Sequence, residues 1–288
     1  MKRSEEGLLL LTCRLGEPIA PLTRTEYKKL SRLPGDPGED GEVTVKALTA
    51  QGCPEALAEK TCRLLNREEA LHRYLAQPGI TVVTRLSEAF PARLRRLRDC
   101  PTAFFCKGEP ALFQTPCVAL VGAREISPQG EVFARHVGTL AAREGYTLVS
   151  GGAEGADRAA QEACLQAGGR VISFVPDGLT AYPLQERVLY CSDEGWDFDF
   201  SAARALRRNH YIHAQGEKTL VACCPGPKGG TWKGTSYNLA HSLSPVWVLE
   251  DGTPGMEQLK ELGALAVPED FPSIRGLQPR QLSIFDGV

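Results

Sequence analysis

The 288-residue sequence lacks the long apolar segment that a membrane-spanning helix needs. Its N-terminal apolar run, residues 8–12, is too short to cross a bilayer and too short for the core of a signal peptide. The chain also lacks an excess of positive charge, because its formal net charge is −2. These absences predict a cytoplasmic protein without a membrane partner, in which any nucleic-acid site is a local basic patch.

Paired metal ligands are absent as well. The ten cysteines include no CxxC pair, and only five histidines accompany them. A zinc site needs several ligands at tight spacing, which this sequence does not supply. We therefore expect reduced, mostly buried thiols, and neither a metal nor a cofactor.

The first part of the chain has a helical pattern. Up to residue 78, apolar residues recur at helical spacing, interrupted by a Pro/Gly-rich acidic loop at residues 34–43. Residues 79–110 are interpreted as a lead-in segment with one strand, GITVVTRL, and the arginine-rich stretch FPARLRRLRDC. A charge run of this kind is typical of a solvated helix face.

From Cys117 onward, strands alternate with helices. The segments CVALVG, YTLVSGGA, RVISFV, TLVACC and PVWVLE are apolar enough for strands buried on both faces of a sheet. Ser127 and Pro128 begin the first helix, Val132 belongs to its apolar stripe, and Gly145 ends it. The alternation predicts an α/β fold: a Rossmann-like, doubly wound parallel sheet core over residues 111–270, with a smaller, mainly helical N-terminal region. Residues 271–288 are expected to form a flexible tail.

The turn SGGAEGADRAAQ, residues 150–161, lies between a predicted strand and a predicted helix. Ligands of such sheets bind at the carboxyl ends of the strands. The glycines at 151, 152 and 155 allow backbone N–H groups to approach an anion, and the helix that follows adds a partial positive charge. Taken alone, the turn is equally compatible with tight packing.

Two further turns reach the same edge. The segment VGAR ends in Arg124, and the helix ARALRRNHYIH places Arg204, Arg207 and Arg208 at helical spacing. A third glycine-rich turn, PGPKGGTWKGTS, follows the strand TLVACC. Arginine forks, lysines, hydroxyls and free amides together favour phosphate recognition. The candidate residues are Arg124, Ser150, Gly151, Gly152, Gly155, Arg208, Asn209, Lys233, Gly234 and Thr235.

The motifs VALVGAR, SGGAEGADRAAQ, GGRVISFVPDGLTAYP and RRN, in this order, resemble the DNA-processing protein family DprA, also called Smf. The resemblance extends over about residues 79–267. It implies a dimeric single-stranded DNA-binding protein that loads RecA during DNA uptake and recombination. The positions that match the family's phosphate-binding motifs are Arg124, Ser150, Gly151, Gly155, Asp157, Arg208, Asn209, Gly234 and Thr235. The sequence departs from the family at His210, where an arginine is usual, in the turn GGTWKGTS, and in lacking the C-terminal winged helix of many members.

The C-terminal stretch RQLSIFDGV presents a separate candidate. Gln281, Leu282 and Phe285 resemble the peptide with which bacterial DNA-repair proteins bind the sliding clamp. The alternative is a tail that folds its own Leu and Phe back onto the domain.

Two other functions are compatible with the pattern. The fold is shared by LOG-type phosphoribohydrolases, which hydrolyse nucleoside monophosphates with a glutamate, but Asn238 occupies the matching position. An amide cannot take up a proton as a carboxylate does, although Glu154 or Asp157 could substitute. We expect Asp157 to cap its helix rather than contact DNA, and we predict that the protein is not an enzyme. The third possibility is a nucleotide-sensing domain.

Overall fold

The computed structural model describes residues 1–34 and 43–279. Its N-terminal region contains helices α1 (Arg3–Thr12), α2 (Arg24–Leu30), α3 (Val45–Ala50), α4 (Glu55–Leu65) and α5 (Glu68–Leu75). Helix α2 begins with a capping box: Thr23 Oγ1 accepts from the N–H of Glu26, and the Glu26 carboxylate accepts from the N–H of Thr23. The smaller helical region expected from the pattern is confirmed.

Nine strands in the described ranges form one sheet, in the order β1-β2-β6-β5-β4-β3-β7-β8-β9. All neighbours from β6 to β9 run parallel, whereas β1 and β2 add an antiparallel edge. The doubly wound α/β fold is therefore confirmed. The strands are β1 (Ile80–Thr84), β2 (Ala103–Lys107), β3 (Cys117–Gly122), β4 (Thr147–Ser150), β5 (Arg170–Phe174), β6 (Val188–Ser192), β7 (Lys218–Cys223), β8 (Val246–Leu249) and β9 (Leu265–Val267).

Strands β2, β6 and β9 were not predicted from the sequence. Each is a run of only three to five residues without a clear alternation of apolar and polar side chains. Periodicity cannot identify a strand in so short a run. Strands β1 and β2 extend the sheet of the core, so the lead-in segment is part of the same sheet. The region boundaries at residues 78, 110 and 270 stay predictions.

Five helices cover the sheet: α6 (Pro128–Arg143), α7 (Ala156–Gln166), α8 (Ala202–Gln215), α9 (Gly229–His241) and α10 (Pro254–Glu261). Helix α6 packs against α7, and α8 packs against α9. Because the crossovers run in opposite directions from β3, right-handed connections place these two pairs on opposite faces. None of the helices in the described ranges is long and apolar enough to cross a membrane.

Helix α6 begins as predicted, with Ser127 Oγ accepting from the N–H of Gly130 at 3.0 Å. Its apolar stripe was predicted one residue too wide. Val132 is 51% exposed because it precedes the fully buried Phe133, and adjacent helical residues project about 100° apart. Eight of the ten cysteine side chains are buried, which agrees with the prediction of mostly buried thiols.

The arginine-rich stretch does not form a solvated helix face. It contains a short 3-10 helix, Ala92–Arg96, and Arg93 is half-buried. The Arg93 guanidinium donates to the carbonyls of Ala214 at 2.9 Å and Gly216 at 2.8 Å. This arginine therefore satisfies carbonyl groups at the end of α8, a tertiary role that charge spacing does not reveal.

Candidate functional site

A cleft of about 450 Å³ lies where the strand order reverses, at the carboxyl ends of β3 and β7. Its walls come from the segment after β3, the loop after β4, one side of α8 and the start of α9. Open α/β sheets bind their ligands at such a switch point, because the flanking loops diverge there. The edge predicted from the three turns therefore carries a real cavity.

Glycine determines the shape of the loop after β4, residues 151–155, which we call the glycine loop. Gly155 has φ of 82°, and a Cβ there would overlap the carbonyl oxygen of Arg124. The neighbouring N–H of Ala156 donates to the carbonyl of Ala123 at 3.3 Å. The loop therefore packs directly on the segment after β3, and Arg124 lies exposed on the cleft wall beside it.

Arg208 reaches the underside of the same loop. A Cβ at Gly151 would overlap the Arg208 guanidinium, so only glycine leaves room for this side chain. Asp157 is the nearest carboxylate, with 3.9 Å between its Oδ2 and Arg208 Nη1. The three residues thus form one buried unit of loop, cation and carboxylate.

Asp157 holds the loop rather than capping its helix, whose N-cap is Gly155. Its Oδ2 accepts from the N–H groups of Gly151 at 3.1 Å and Ala153 at 3.3 Å. Burial raises the pKa of Asp157, against the opposing effects of Arg208 and these two N–H groups. Asp157 therefore has a structural role, as predicted. The N–H groups that it binds belong to the preceding loop and not to the start of its own helix.

Arg208 has unused hydrogen-bonding capacity. Its Nε and Nη1 are buried and have no hydrogen-bond partner among the described residues. Burial lowers the pKa of Arg208, opposed by Asp157, but a guanidinium remains charged in proteins. Unfilled buried donors are costly, and a guanidinium on a cleft wall is suited to donate charge-assisted hydrogen bonds to an oxyanion.

The start of α9 forms the opposite wall. Gly229, Gly230 and Thr231 line the cleft, and Lys228 at the N-cap makes no capping hydrogen bond with its side chain. The free N–H groups of a helix start attract anions. Asn209 Nδ2 donates to the carbonyl of Gly230 at 3.1 Å and so fixes this wall to α8. Lys228 and Lys233 add exposed positive charge.

Six of the ten predicted residues do not line the cleft: Ser150, Gly151, Gly152, Gly155, Gly234 and Thr235. Ser150 is fully buried and accepts from Gln161 Nε2 at 2.6 Å. Gly234 and Thr235 lie within α9, not in a turn, and both are buried. The glycine-rich sequence suggested a longer turn, but close packing of Gly234 against α8 stabilises helix there. Gly152 is exposed with φ of 65° and lies outside the cleft lining.

The three arginines of α8 do not converge as their spacing predicted. Arg204 Nε binds Glu194 at 2.7 Å, and Arg207 Nε binds Asp193 at 2.8 Å. Only Arg208 reaches the cleft. The acidic segment before α8 captures the other two, which is a tertiary effect that helical spacing cannot show.

Asn238, at the position of the phosphoribohydrolase glutamate, belongs to an internal network. Its Nδ2 donates to His213 Nδ1 and to Ser244 Oγ, each at 3.1 Å, and its Oδ1 accepts from the N–H of Ser244 at 2.9 Å. Burial lowers the pKa of His213 to about 3, so the ring is neutral and can accept this bond. Glu154 forms a surface salt bridge, and Asp157 supports the glycine loop. The two substitute carboxylates are thus already engaged.

One lining residue was not anticipated. Phe200 lies on the cleft wall and is 54% exposed, which is unusual for a large aromatic side chain. Two tyrosines of the neighbouring helices lie elsewhere: Tyr211 is buried in the core, and Tyr237 stacks between His210 and His241 at ring distances of 3.7 and 3.9 Å. A phenylalanine directly before a basic helix was the available signal.

Comparison with known proteins agrees with this architecture. The family model of DNA recombination-mediator protein A matches residues 81–270, more than half of the chain. Protein Smf of Escherichia coli K12 is 34% identical over 120 residues, which are 41% of this chain and 32% of that protein. DNA processing protein DprA of Streptococcus pneumoniae is 37% identical over 97 residues, 34% of each chain. The aligned stretches thus span about a third of these curated relatives.

Solved structures extend the similarity. The crystal structure of DNA processing protein A from Streptococcus pneumoniae superposes on 93% of this chain and 95% of its own, with a TM-score of 0.72 and 24% identity, which shows a common fold. A structure of the Helicobacter pylori protein, described for its single-stranded DNA binding mode, covers 65% of this chain and 90% of its own, with a TM-score of 0.56 and 25% identity. The chain therefore belongs to the DNA recombination-mediator protein A family, the DprA/Smf family that its motifs resemble.

Proposed function

We propose that this protein binds single-stranded DNA through its phosphate groups in the cleft between the glycine loop and the start of α9. The observation that carries the proposal is Arg208, a buried cation on the cleft wall with two nitrogen atoms that lack hydrogen-bond partners. A phosphodiester oxygen supplies the missing acceptors and neutralises a charge that Asp157 compensates only at 3.9 Å.

The remaining contacts follow from the cleft wall. Arg124, Lys228 and Lys233 provide exposed positive charge around the buried arginine, and the free N–H groups of Gly229 and Gly230 donate to a phosphate oxygen. Phe200 offers a ring on which a base can stack without sequence preference. Binding of this kind is salt-dependent and largely independent of base identity.

Membership of the family supports a role for this binding in DNA processing. Its description names recombination mediation, and the Helicobacter pylori relative is described as binding single-stranded DNA. By analogy, the bound strand is handed to RecA during DNA uptake and recombination, by a homodimer that works in the cytoplasm. The clamp-binding motif at Gln281, Leu282 and Phe285 lies outside the described residues and remains part of the proposal.

A titration of fluorescent oligo-dT against salt tests the cleft. The unmodified chain is expected to bind tightly at low salt and progressively more weakly as salt rises. The double variant Arg124→Glu with Arg208→Gln removes both cleft cations without placing a second buried carboxylate beside Asp157. It should lose about a hundredfold in affinity. The control is Arg143→Glu, an exposed arginine at the end of α6 that lies outside the cleft.

The competing enzymatic function is tested in the same samples by measuring release of adenine from AMP. Base release by the unmodified chain, together with an affinity for oligo-dT that the double variant leaves unchanged, would overturn the proposal. A separate assay follows RecA filament growth on the oligonucleotide. Acceleration by the chain, lost in the double variant, is expected if the bound strand is handed over.

A further inference from the structure

A second cleft, of about 480 Å³, lies between the N-terminal helices and the sheet. Its walls come from the end of α1, from α2, from residues 99–102 before β2 and from α8. This second cleft is separate from the cleft beside the glycine loop, which we call the glycine-loop cleft. None of the predicted phosphate-binding residues lines the second cleft. We call it the α2 cleft.

Positive charge surrounds the α2 cleft. Arg14, Arg24, Lys28 and Arg85 line it, and no described carboxylate forms a salt bridge with any of them. Arg85 stacks over the ring of Tyr27, with 5.6 Å between the guanidinium carbon and the ring centroid. These cations come from three separate segments of the chain, so their convergence is produced by the fold rather than by one basic run.

Two of the three carboxylates that line the same cleft are paired with arginines. Asp193 binds Arg207 at 2.8 Å and Glu194 binds Arg204, whereas Asp99 is hydrogen-bonded to His210 Nδ1 at 2.9 Å. The four cations therefore outnumber Asp99, the one lining carboxylate without an arginine partner. Such a surface is complementary to a polyanion.

Helix α8 is the wall that the two clefts share. Arg207 and Tyr211 line the α2 cleft, whereas Arg208 and Asn209 line the glycine-loop cleft. Successive residues of a helix point about 100° apart, so the two clefts lie on adjacent sides of one helix about 10 Å wide. A DNA strand bound at Arg208 would reach the second group of cations by crossing α8.

We propose that the α2 cleft is a second phosphate-binding site for the same DNA strand, so that single-stranded DNA wraps around the start of α8. This inference rests on the proposed function, because it assumes that DNA occupies the glycine-loop cleft. It assigns the N-terminal helical region a role in binding: α2 supplies half of the four cations, and its Tyr27 lies within reach of a base.

Oligonucleotides of two lengths separate the two clefts. An oligo-dT of about 6 nucleotides fills one cleft, whereas one of about 30 nucleotides is long enough for both. The variant Arg24→Glu with Arg85→Glu should bind the long oligonucleotide about tenfold more weakly, and its log affinity should fall less steeply with log salt, by about 1.4 in slope for two lost phosphate contacts. Its affinity for the short oligonucleotide should remain within about twofold.

The matched control is Arg63→Glu with Arg143→Glu, which makes the same change in net charge at two exposed residues outside both clefts. Equal loss in the control and the α2-cleft variant would overturn the second site, since only net charge would matter. Long-oligonucleotide affinity that the α2-cleft variant leaves unchanged would overturn it as well. If the unmodified chain binds neither oligonucleotide, the proposed function itself fails.

A crosslinking experiment identifies the occupant directly. A long oligonucleotide carrying 5-iodouracil should crosslink to Tyr27 on irradiation, and the short oligonucleotide in excess should not remove that crosslink. An acidic peptide is the other chemistry that fits the charge. Binding of an Asp/Glu-rich peptide that is lost in the α2-cleft variant, without a Tyr27 crosslink to DNA, would overturn the assignment to DNA.

Discussion

Arg207 and Arg208 are neighbours in the sequence and lie on the same helix, yet their surroundings are opposite. Arg207 contacts two carboxylates, Asp193 at 2.8 Å and Glu194. Arg208 lies beneath a glycine loop, 3.9 Å from its nearest carboxylate, with two nitrogens that lack partners. An arginine at close salt-bridge distance from two carboxylates stabilises the fold, whereas one without a carboxylate so close is available to a ligand. The comparison shows that two adjacent arginines are distinguished by the carboxylates that face them, which helical spacing does not reveal.

The largest expected effect separates these two arginines. Arg208→Ala should weaken binding of a short oligo-dT about a hundredfold, because it removes the buried cation of the cleft. Arg207→Ala should change that affinity less than about threefold and instead lower the free energy of unfolding by about 2 kcal/mol, since two partly buried carboxylates lose their partner. Fluorescence anisotropy and urea unfolding measure both. Equal losses of affinity would contradict the division between the two side chains.

The glycine loop above Arg208 provides the next test. Gly155→Ala places a Cβ against the carbonyl of Arg124 at a φ of 82°, so the backbone must shift. We expect a loss of about 2 kcal/mol in the free energy of unfolding, together with weaker DNA binding. Gly226→Ala is the control, because nothing lies within 4 Å of the added methyl group. A stability cost of the same size at residue 226 would show that loop glycines in general, and not this close approach, carry the effect.

The internal side of α8 predicts a pH dependence. Burial lowers the pKa of His213 from 6.5 to about 3, so the unfolded chain binds a proton before the folded chain does. Stability contributed by this group is complete above pH 6.5 and is lost as pH falls towards 3, at about 1.4 kcal/mol per pH unit. His213→Gln should remove this component. Urea unfolding of both proteins at pH 7, 6 and 5 measures the difference, and parallel pH profiles would exclude a buried neutral ring.

The smallest effect is expected at Arg204, on the side of α8 that faces Asp193 and Glu194. This side chain binds Glu194 at 2.7 Å and lies 4.3 Å from the ring centroid of Phe198, but it is partly exposed. Arg204→Gln should lower the free energy of unfolding by about 0.5–1 kcal/mol and leave short-oligonucleotide affinity unchanged. A marked loss of affinity would place Arg204 in the DNA site after all.

Much of the fold was predictable because its signals are local. The helix start at Ser127, the buried strands and the strand–helix alternation depend on neighbouring residues and on periodicity. Strands β2, β6 and β9 escaped because each is too short to show a period, and their pairing depends on partners distant in sequence. The predicted extent of the third glycine turn was wrong, because part of it is helix α9. Local propensity disfavours helix at these glycines, but tertiary packing of Gly234 on α8 maintains it.

The sequence by itself determined the fold class, the edge of the sheet at which the cleft lies and the residue types collected there, because glycine turns and strand ends are encoded within a few residues. Only the tertiary structure decided which of three similar arginines lacks a close carboxylate partner, that Asn238 is engaged in an internal network, and that four cations from three segments converge in the α2 cleft. The physical reason is that a charge acquires its role from the partners that surround it, and here those partners lie far away along the chain.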